Sequence, residues 1–251
     1  MNKRRVSDSP FYYLFKKEGA AFMDIADKLL EELECRVAFT IPIFGGIPVP
    51  ESCVMTWGIM AVIVLFCILF VRKLKTVPTG AQSLIESGIN WMNNFFLDIL
   101  GPKGKKYLPI LETMLIYIGI SNIVGIVGLR PPTKDLGVTA TLAIFAILLI
   151  QFCGIKERGG KGWLHSFIEP MPLLLPIKIL ELFIKPLSLC MRLFGNILGA
   201  FVVMELIRLV VPVGIPLVLG LYFDIFDGCI QAYVFVFLTS LFMAEAMEEE
   251  E

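Results

Sequence analysis

The chain of 251 residues has one histidine, no Cys-x-x-Cys pair among its six cysteines, and only 18% charged residues. Each shortage closes a class of function. His165 has no acid or thiol close to it in sequence, and Cys35, Cys53, Cys67, Cys153, Cys190 and Cys229 are scattered, so no metal site is readable. Most of these cysteines sit in apolar runs as small hydrophobes. Cys35 and Cys53 precede or open the first span, and a disulfide between them in an oxidising compartment is left open but not expected. A net charge of −1, with the charges gathered in loops and tails, removes the case for nucleic acid. No nucleophile with its base and no phosphate loop occurs, so neither enzyme chemistry nor a cofactor is expected. The basic start Met1-Asn-Lys-Arg-Arg5 is followed by Ser, Asp and Pro rather than an apolar core, and does not read as a signal peptide. No internal repeat of the inverted-repeat transporter kind is visible.

What is abundant is apolar surface: 57% of the residues are hydrophobic, and the mean hydropathy is +0.78. A chain of this composition cannot wrap that surface inside one soluble globule, and reads as a multi-pass membrane protein in a lipid bilayer. Residues 1–50 combine a polar start, a short amphipathic piece at about 18–34 and a Gly/Pro stretch to Pro50, and read as an extracytoplasmic tail; 51–251 form the membrane domain. Apolar runs cover about 54–71, 108–128 and 136–154, with loops at 130–135 and 156–161. Residues 81–100 place Glu86, Asn90, Asn93, Asn94 and Asp98 at helical spacing among Leu, Ile, Trp and Phe, as in a helix lying at the interface. Residues 173–211 and 216–244 each exceed one crossing, so the hairpin they form, about 165–245, must be tilted or broken, with Pro176 and Pro186 as candidate kinks. The fold class is therefore all-α, with about five membrane-inserted helices and one interfacial helix. Lys and Arg near the spans put the N-terminus outside and the C-terminus in the cytoplasm.

Arg192 lies within the apolar stretch of the first long helix. An arginine at a helix centre costs ~2.5–3.5 kcal/mol on insertion scales, and cannot shed its proton to escape. At 100° per residue, Glu181, Lys185, Ser188, Arg192, Gly195, Asn196 and Gly199 share one polar, small-residue face. Lipid would reject that face. Gly195 and Gly199 admit a close neighbour, either a helix of this chain or one of a partner. The second long helix stacks Asp224, Asp227 and Gln231 on one face. With a turn near residue 213, facing positions have numbers adding to roughly 426, which sets Gln231 level with Asn196 and Asp224 about one turn from Glu205. These are the residue types of an ion path: acids that exchange protons or hold a cation, amides that orient water, and one cation that never titrates. An arginine ~4 Å from a carboxylate contributes about 4 kcal/mol at an effective dielectric near 20, equal to roughly three pKa units, enough to expel a proton from a passing carboxylic acid. A stand-alone transporter or channel, with Arg192 binding an anionic substrate, is the competing reading.

The segments Val49-Pro-Glu-Ser52, Val77-Pro-Thr-Gly80, Asp135-Leu-Gly-Val-Thr139, Lys185-Pro-Leu-Ser-Leu-Cys-Met-Arg-Leu-Phe-Gly-Asn-Ile-Leu198 and Gly228-Cys-Ile-Gln-Ala-Tyr-Val-Phe235 resemble subunit a of the F-type ATP synthase over about 48–248. By that resemblance the chain carries H⁺, or Na⁺, through two offset half-channels to and from the c-ring carboxylates, beside subunit b of the peripheral stalk and the rest of the ATP synthase. Arg192 matches the arginine facing the ring, Asn196 and Gln231 the polar residues beside it, and Asp135 an acid of the outer connecting loop. Asp224 stands where the family has His or Glu. Many members carry an acid nine residues after the arginine, where this chain has Phe201. Glu205 would supply the missing carboxylate or pair with Arg208, and Asp227 would be a channel acid or a group near the membrane surface.

Overall fold

The computed structural model describes residues 23, 37–41, 47–71, 80–127, 129–165, 175–210 and 214–247. Two short antiparallel strands, β1 (Val37–Ile41) and β2 (Ile47–Pro50), lead into α1 (Glu51–Val71). Helices α2 (Ala81–Leu100), α3 (Leu108–Ile123), α4 (Leu136–His165) and α5 (Leu175–Val210) follow. The last rod is composite: α6 (Ile215–Leu221), a π-helical stretch Tyr222–Asp227, and α7 (Gly228–Met247). Among the described residues, five helical segments are long and apolar enough to cross a membrane, and the architecture is all-helical apart from the β1–β2 pair.

Helix α7 is the axis of the bundle. Its Ala232, Phe235, Val236 and Met243 are buried against Leu111, Met114 and Ile118 of α3 and Ala143, Ala146 and Ile150 of α4. Burying such side chains contributes roughly 1.5–3 kcal/mol each in water, but in lipid the gain comes from close packing instead. Polar residues inside the helices return their protons to their own backbone, as when Thr239 donates to the Phe235 carbonyl at 2.9 Å and Thr141 to that of Gly137 at 2.7 Å. Helix α1 is apolar all round, with Trp57, Val62, Leu65 and Leu69 exposed, as suits a lipid-facing span.

Two local features depart from the expectations above. The Gly/Pro stretch before Pro50 contributes a strand, paired with Val37–Ile41, where only an irregular tail was expected. Lys156-Glu-Arg158 is helical rather than loop: Glu157 pairs with Lys106 and accepts from the Tyr107 hydroxyl at 3.0 Å, and Arg158 donates to the Glu245 carbonyl at 3.0 Å. The helix breaks one residue later, at Gly159, whose φ of 74° favours glycine. Pro186 lies inside a continuous α5 and Pro176 in its first turn, so neither ends the helix. At 36 residues α5 is about 54 Å long, well beyond the ~30 Å hydrocarbon core, so it must tilt to stay covered. Cys35, residues 72–79 and the terminal glutamates lie outside the described residues, as does the amphipathic piece expected at about 18–34 apart from Met23.

Candidate functional site

Arg192 sits half-buried midway along α5, on a face that the other described residues leave largely bare. Ser188, Gly195 and Gly199 on that face are exposed. A methyl group placed on either glycine would meet no neighbour within 4 Å among the described residues. None of the described helices of this chain packs closely against the two glycines. The flank and far side of α5 are packed: Leu189 and Leu193 are buried, and Cys190 lies 3.6 Å from the Thr139 hydroxyl of α4.

One turn beyond Arg192, the Asn196 side-chain amide donates to Gln231 Oε1 at 2.5 Å, joining α5 to α7 at the level expected for the hairpin. Gln231 is 3% exposed, and its Nε2 has no acceptor among the described residues, so that donor can serve a water or a passing oxygen.

Beyond this bridge, at the end of the bundle that holds the start of α1, opens a cavity of about 410 Å³. Asp224, Asp227 and Gln231 line it from the last rod, Phe201, Met204 and Arg208 from α5, and Arg130 and Lys134 from the loop between α3 and α4. Both acids belong to the π-helical stretch, where the bonding widens to i→i+5 and re-aims side chains relative to an α-helix. Asn122 of α3 holds this stretch in place. Its amide donates to the Gly228 carbonyl at 2.9 Å while its oxygen accepts from Thr133 at 2.8 Å. Gly125 faces Asp224 so closely that a Cβ there would stand 3.3 Å from its carboxylate oxygen. Replacing Asn122 by Leu would leave the buried Thr133 hydroxyl without its acceptor, at about 1–3 kcal/mol, and remove the second bond to the Gly228 carbonyl, which keeps its helical one. The expected result is a lower thermal dissociation temperature of the purified complex, whereas an unchanged temperature would show that the bonds hold nothing.

The remaining site candidates lie elsewhere. Asp135 accepts from Ser52 Oγ at 2.5 Å and from the Gly137 amide at 2.8 Å, so it caps the start of α4 and ties it to α1, and it is not among the residues lining the cavity. Glu205 is 8% exposed and paired with Arg208 at 3.4 Å; Arg208, not Glu205, faces the cavity. Phe201 lines the cavity, with the Lys134 ammonium 5.4 Å from its ring centre.

At the opposite end, Lys185 pairs with Glu245 at 3.0 Å and with Glu181 at 3.7 Å, beside a smaller space of about 130 Å³ lined also by Arg158, Lys178 and Gln151. Helix arithmetic had put Glu181 and Lys185 on the arginine face. Their tie to α7 through Glu245 is a long-range contact that spacing along one helix does not reveal.

A permanent charge at mid-span costs too much to serve packing, and one turn from a bridge whose Gln231 lines a cavity with two acids it fits a membrane protein that conducts ions. The model of a family described as ATP synthase A chain matches residues 53–244. Subunit a of the ATP synthase of Moorella thermoacetica is 36% identical over 201 residues, covering 80% of this chain and 92% of that protein. That of Oceanobacillus iheyensis is 33% identical, covering 80% and 91%, and the sodium ion specific subunit a of Propionigenium modestum is 30% identical, covering 82% and 77%. This chain belongs to the ATP synthase A chain family: it is a multi-pass, ion-translocating stator subunit of the ATP synthase, and carries out no ATP chemistry itself. That membership sets aside the stand-alone transporter.

Proposed function

We propose that this chain conducts protons through two offset half-channels that meet at Arg192, and that the bare face of α5 is where the ring of c subunits runs. The observation that carries the reading is the pairing of a mid-span arginine with a Ser188/Gly195/Gly199 face that the described residues leave uncovered. A charge there must meet protein or water, and the helix has left room for a moving partner. Protons would reach Gln231 and Asn196 through the cavity past Asp224 and Asp227, pass to a ring carboxylate, and leave toward the opposite end after nearly a full turn. The basic residues Lys103, Lys105, Lys106, Lys156 and Arg158 at that opposite end support placing it in the cytoplasm, with the cavity and the N-terminus outside. Subunit b would contact the outer surface of the bundle, away from the ring.

Glu205, bound to Arg208 at the cavity's edge, would set the orientation of that arginine, and Asp135 would keep the connecting loop in register with α1. The test is ATP-driven acidification of inverted vesicles containing the whole complex, in medium free of Na⁺. Full acidification supports protons as the coupling ion. A strict requirement for Na⁺, as the printed name of the Propionigenium modestum relative would suggest, would overturn it.

A further inference from the structure

Arg192 lies between two polar bonds that join α5 to α7. Four residues after it the Asn196 amide donates to Gln231, and seven residues before it the Lys185 ammonium pairs with Glu245 at 3.0 Å. At ~100° and ~1.5 Å per residue, Lys185, Arg192 and Asn196 fall within about 40° of one direction on α5, spaced by about 10 and 6 Å. On α7, Gln231 and Glu245 are almost four turns apart and within about 40° of each other as well. The two bonds therefore close one seam, and the arginine stands between them.

The Lys185 end of that seam is built from several sides. The ammonium lies 4.9 Å from the ring centre of Phe242, three residues before Glu245 on α7, and Glu181 adds a second carboxylate at 3.7 Å. Arg158 of α4 donates to the Glu245 carbonyl at 3.0 Å, which fixes the backbone that carries the acid. The Glu245 side chain is 59% exposed, and an ion pair so open to solvent adds little to stability. Apolar contact gives no hydrophobic force between helices in lipid, which is as apolar as leucine, so bonds between helices and close packing decide how they sit. What this pair can fix is an angle.

We propose that Lys185 and Glu245 are positioning residues for Arg192: together with the Asn196–Gln231 bond they set the rotation of α5 about its own axis, and so the direction in which the guanidinium meets the ring. A rotation of about 20° would carry a group ~6 Å from the helix axis through ~2 Å. Misplacement by ~1 Å at a reacting centre can cost on the order of 10²-fold in rate. Neither Lys185 nor Glu245 carries the proton. The inference rests on the reading that the ring runs along the arginine face.

The experiment compares whole complexes carrying Lys185→Glu, Glu245→Lys, both exchanges together, Lys185→Arg or Glu245→Gln. ATP-driven proton uptake, and passive proton flow after removal of the soluble sector, are measured per assembled complex, alongside the thermal dissociation temperature. Each charge reversal is expected to cut uptake at least about fivefold and to raise passive flow, with the dissociation temperature unchanged. The double exchange is expected to recover at least about half of native uptake, Lys185→Arg to stay near native, and Glu245→Gln to show a smaller loss of the same sign. Native uptake in both reversals would overturn the proposal, as would a loss that the double exchange does not reverse. A loss that vanishes when counted per assembled complex would overturn it too, because the pair would then serve assembly alone. Should a reversal fail to assemble, Glu245→Gln and the double exchange decide the same question. Arg192→Ala is the control for the underlying reading: near-normal uptake there would overturn that reading instead, so the two failures are distinguishable.

Discussion

Arg192→Ala is expected to abolish ATP-driven proton uptake into inverted vesicles while the soluble sector continues to hydrolyse ATP. A guanidinium facing a carboxylic acid across a few ångströms favours release of its proton by about three orders of magnitude at an effective dielectric near 20. Without it, a ring carboxylate would reach the stator still protonated and turn past it, moving nothing. Arg192→Lys is expected to fail as well. An ammonium in a desolvated place can shed its proton, and it lacks the planar fork that keeps a guanidinium in position while a partner passes. Near-normal pumping by either variant would return Arg192 to a structural role.

The second large effect is expected at Asp224. Asp224→Asn keeps the shape and removes the exchangeable charge from the wall of the cavity, and a well-placed proton-transfer group contributes on the order of 10²-fold or more to a rate. ATP-driven uptake should fall by about that factor, and Asp224→Glu should recover much of it. Asp227 lies on the same cavity wall in the same π-helical stretch. If the two acids act in series, Asp227→Asn will show a comparable loss, and the double variant will be little worse than either alone. A native rate in Asp224→Asn would mean that protons bypass this cavity.

The central features of this site were legible because they follow from short-range rules. Helical periodicity alone places Ser188, Arg192, Gly195 and Gly199 on one face, and a hairpin between two long helices brings Asn196 level with Gln231, where a hydrogen bond of 2.5 Å joins them. The π-helical stretch was not legible. It adds to no local preference of Tyr222-Phe-Asp-Ile-Phe-Asp227, and it is held from outside, by the Asn122 amide at the Gly228 carbonyl. The strand pairing before α1 had a partial signal, Gly45-Gly46 between two apolar runs, outweighed by the prolines around it. The helical Lys156-Glu-Arg158 was hidden for a related reason: charges followed by glycines read as a loop, whereas Lys106, Tyr107 and Glu245 hold them from distant elements.

The part played by Glu205 shows where spacing alone gives out. Two readings fitted the sequence equally, an acid for the cavity or a partner for Arg208, because both lie within one turn of it. The side chain turns to Arg208 at 3.4 Å, and the cavity receives the arginine instead. Lys134 against Phe201 had no local signal at all, since the two are brought together only when the connecting loop folds over α5.

The most direct test of two half-channels kept apart by one charge is passive proton flow through vesicles stripped of the soluble sector, under an imposed potential, comparing the native complex with Arg192→Ala. The account predicts that the variant leaks protons faster than the native complex, because the barrier between the cavity side and the opposite side is gone. A leak no faster than native, together with ATP-driven pumping that survives the substitution, would contradict it.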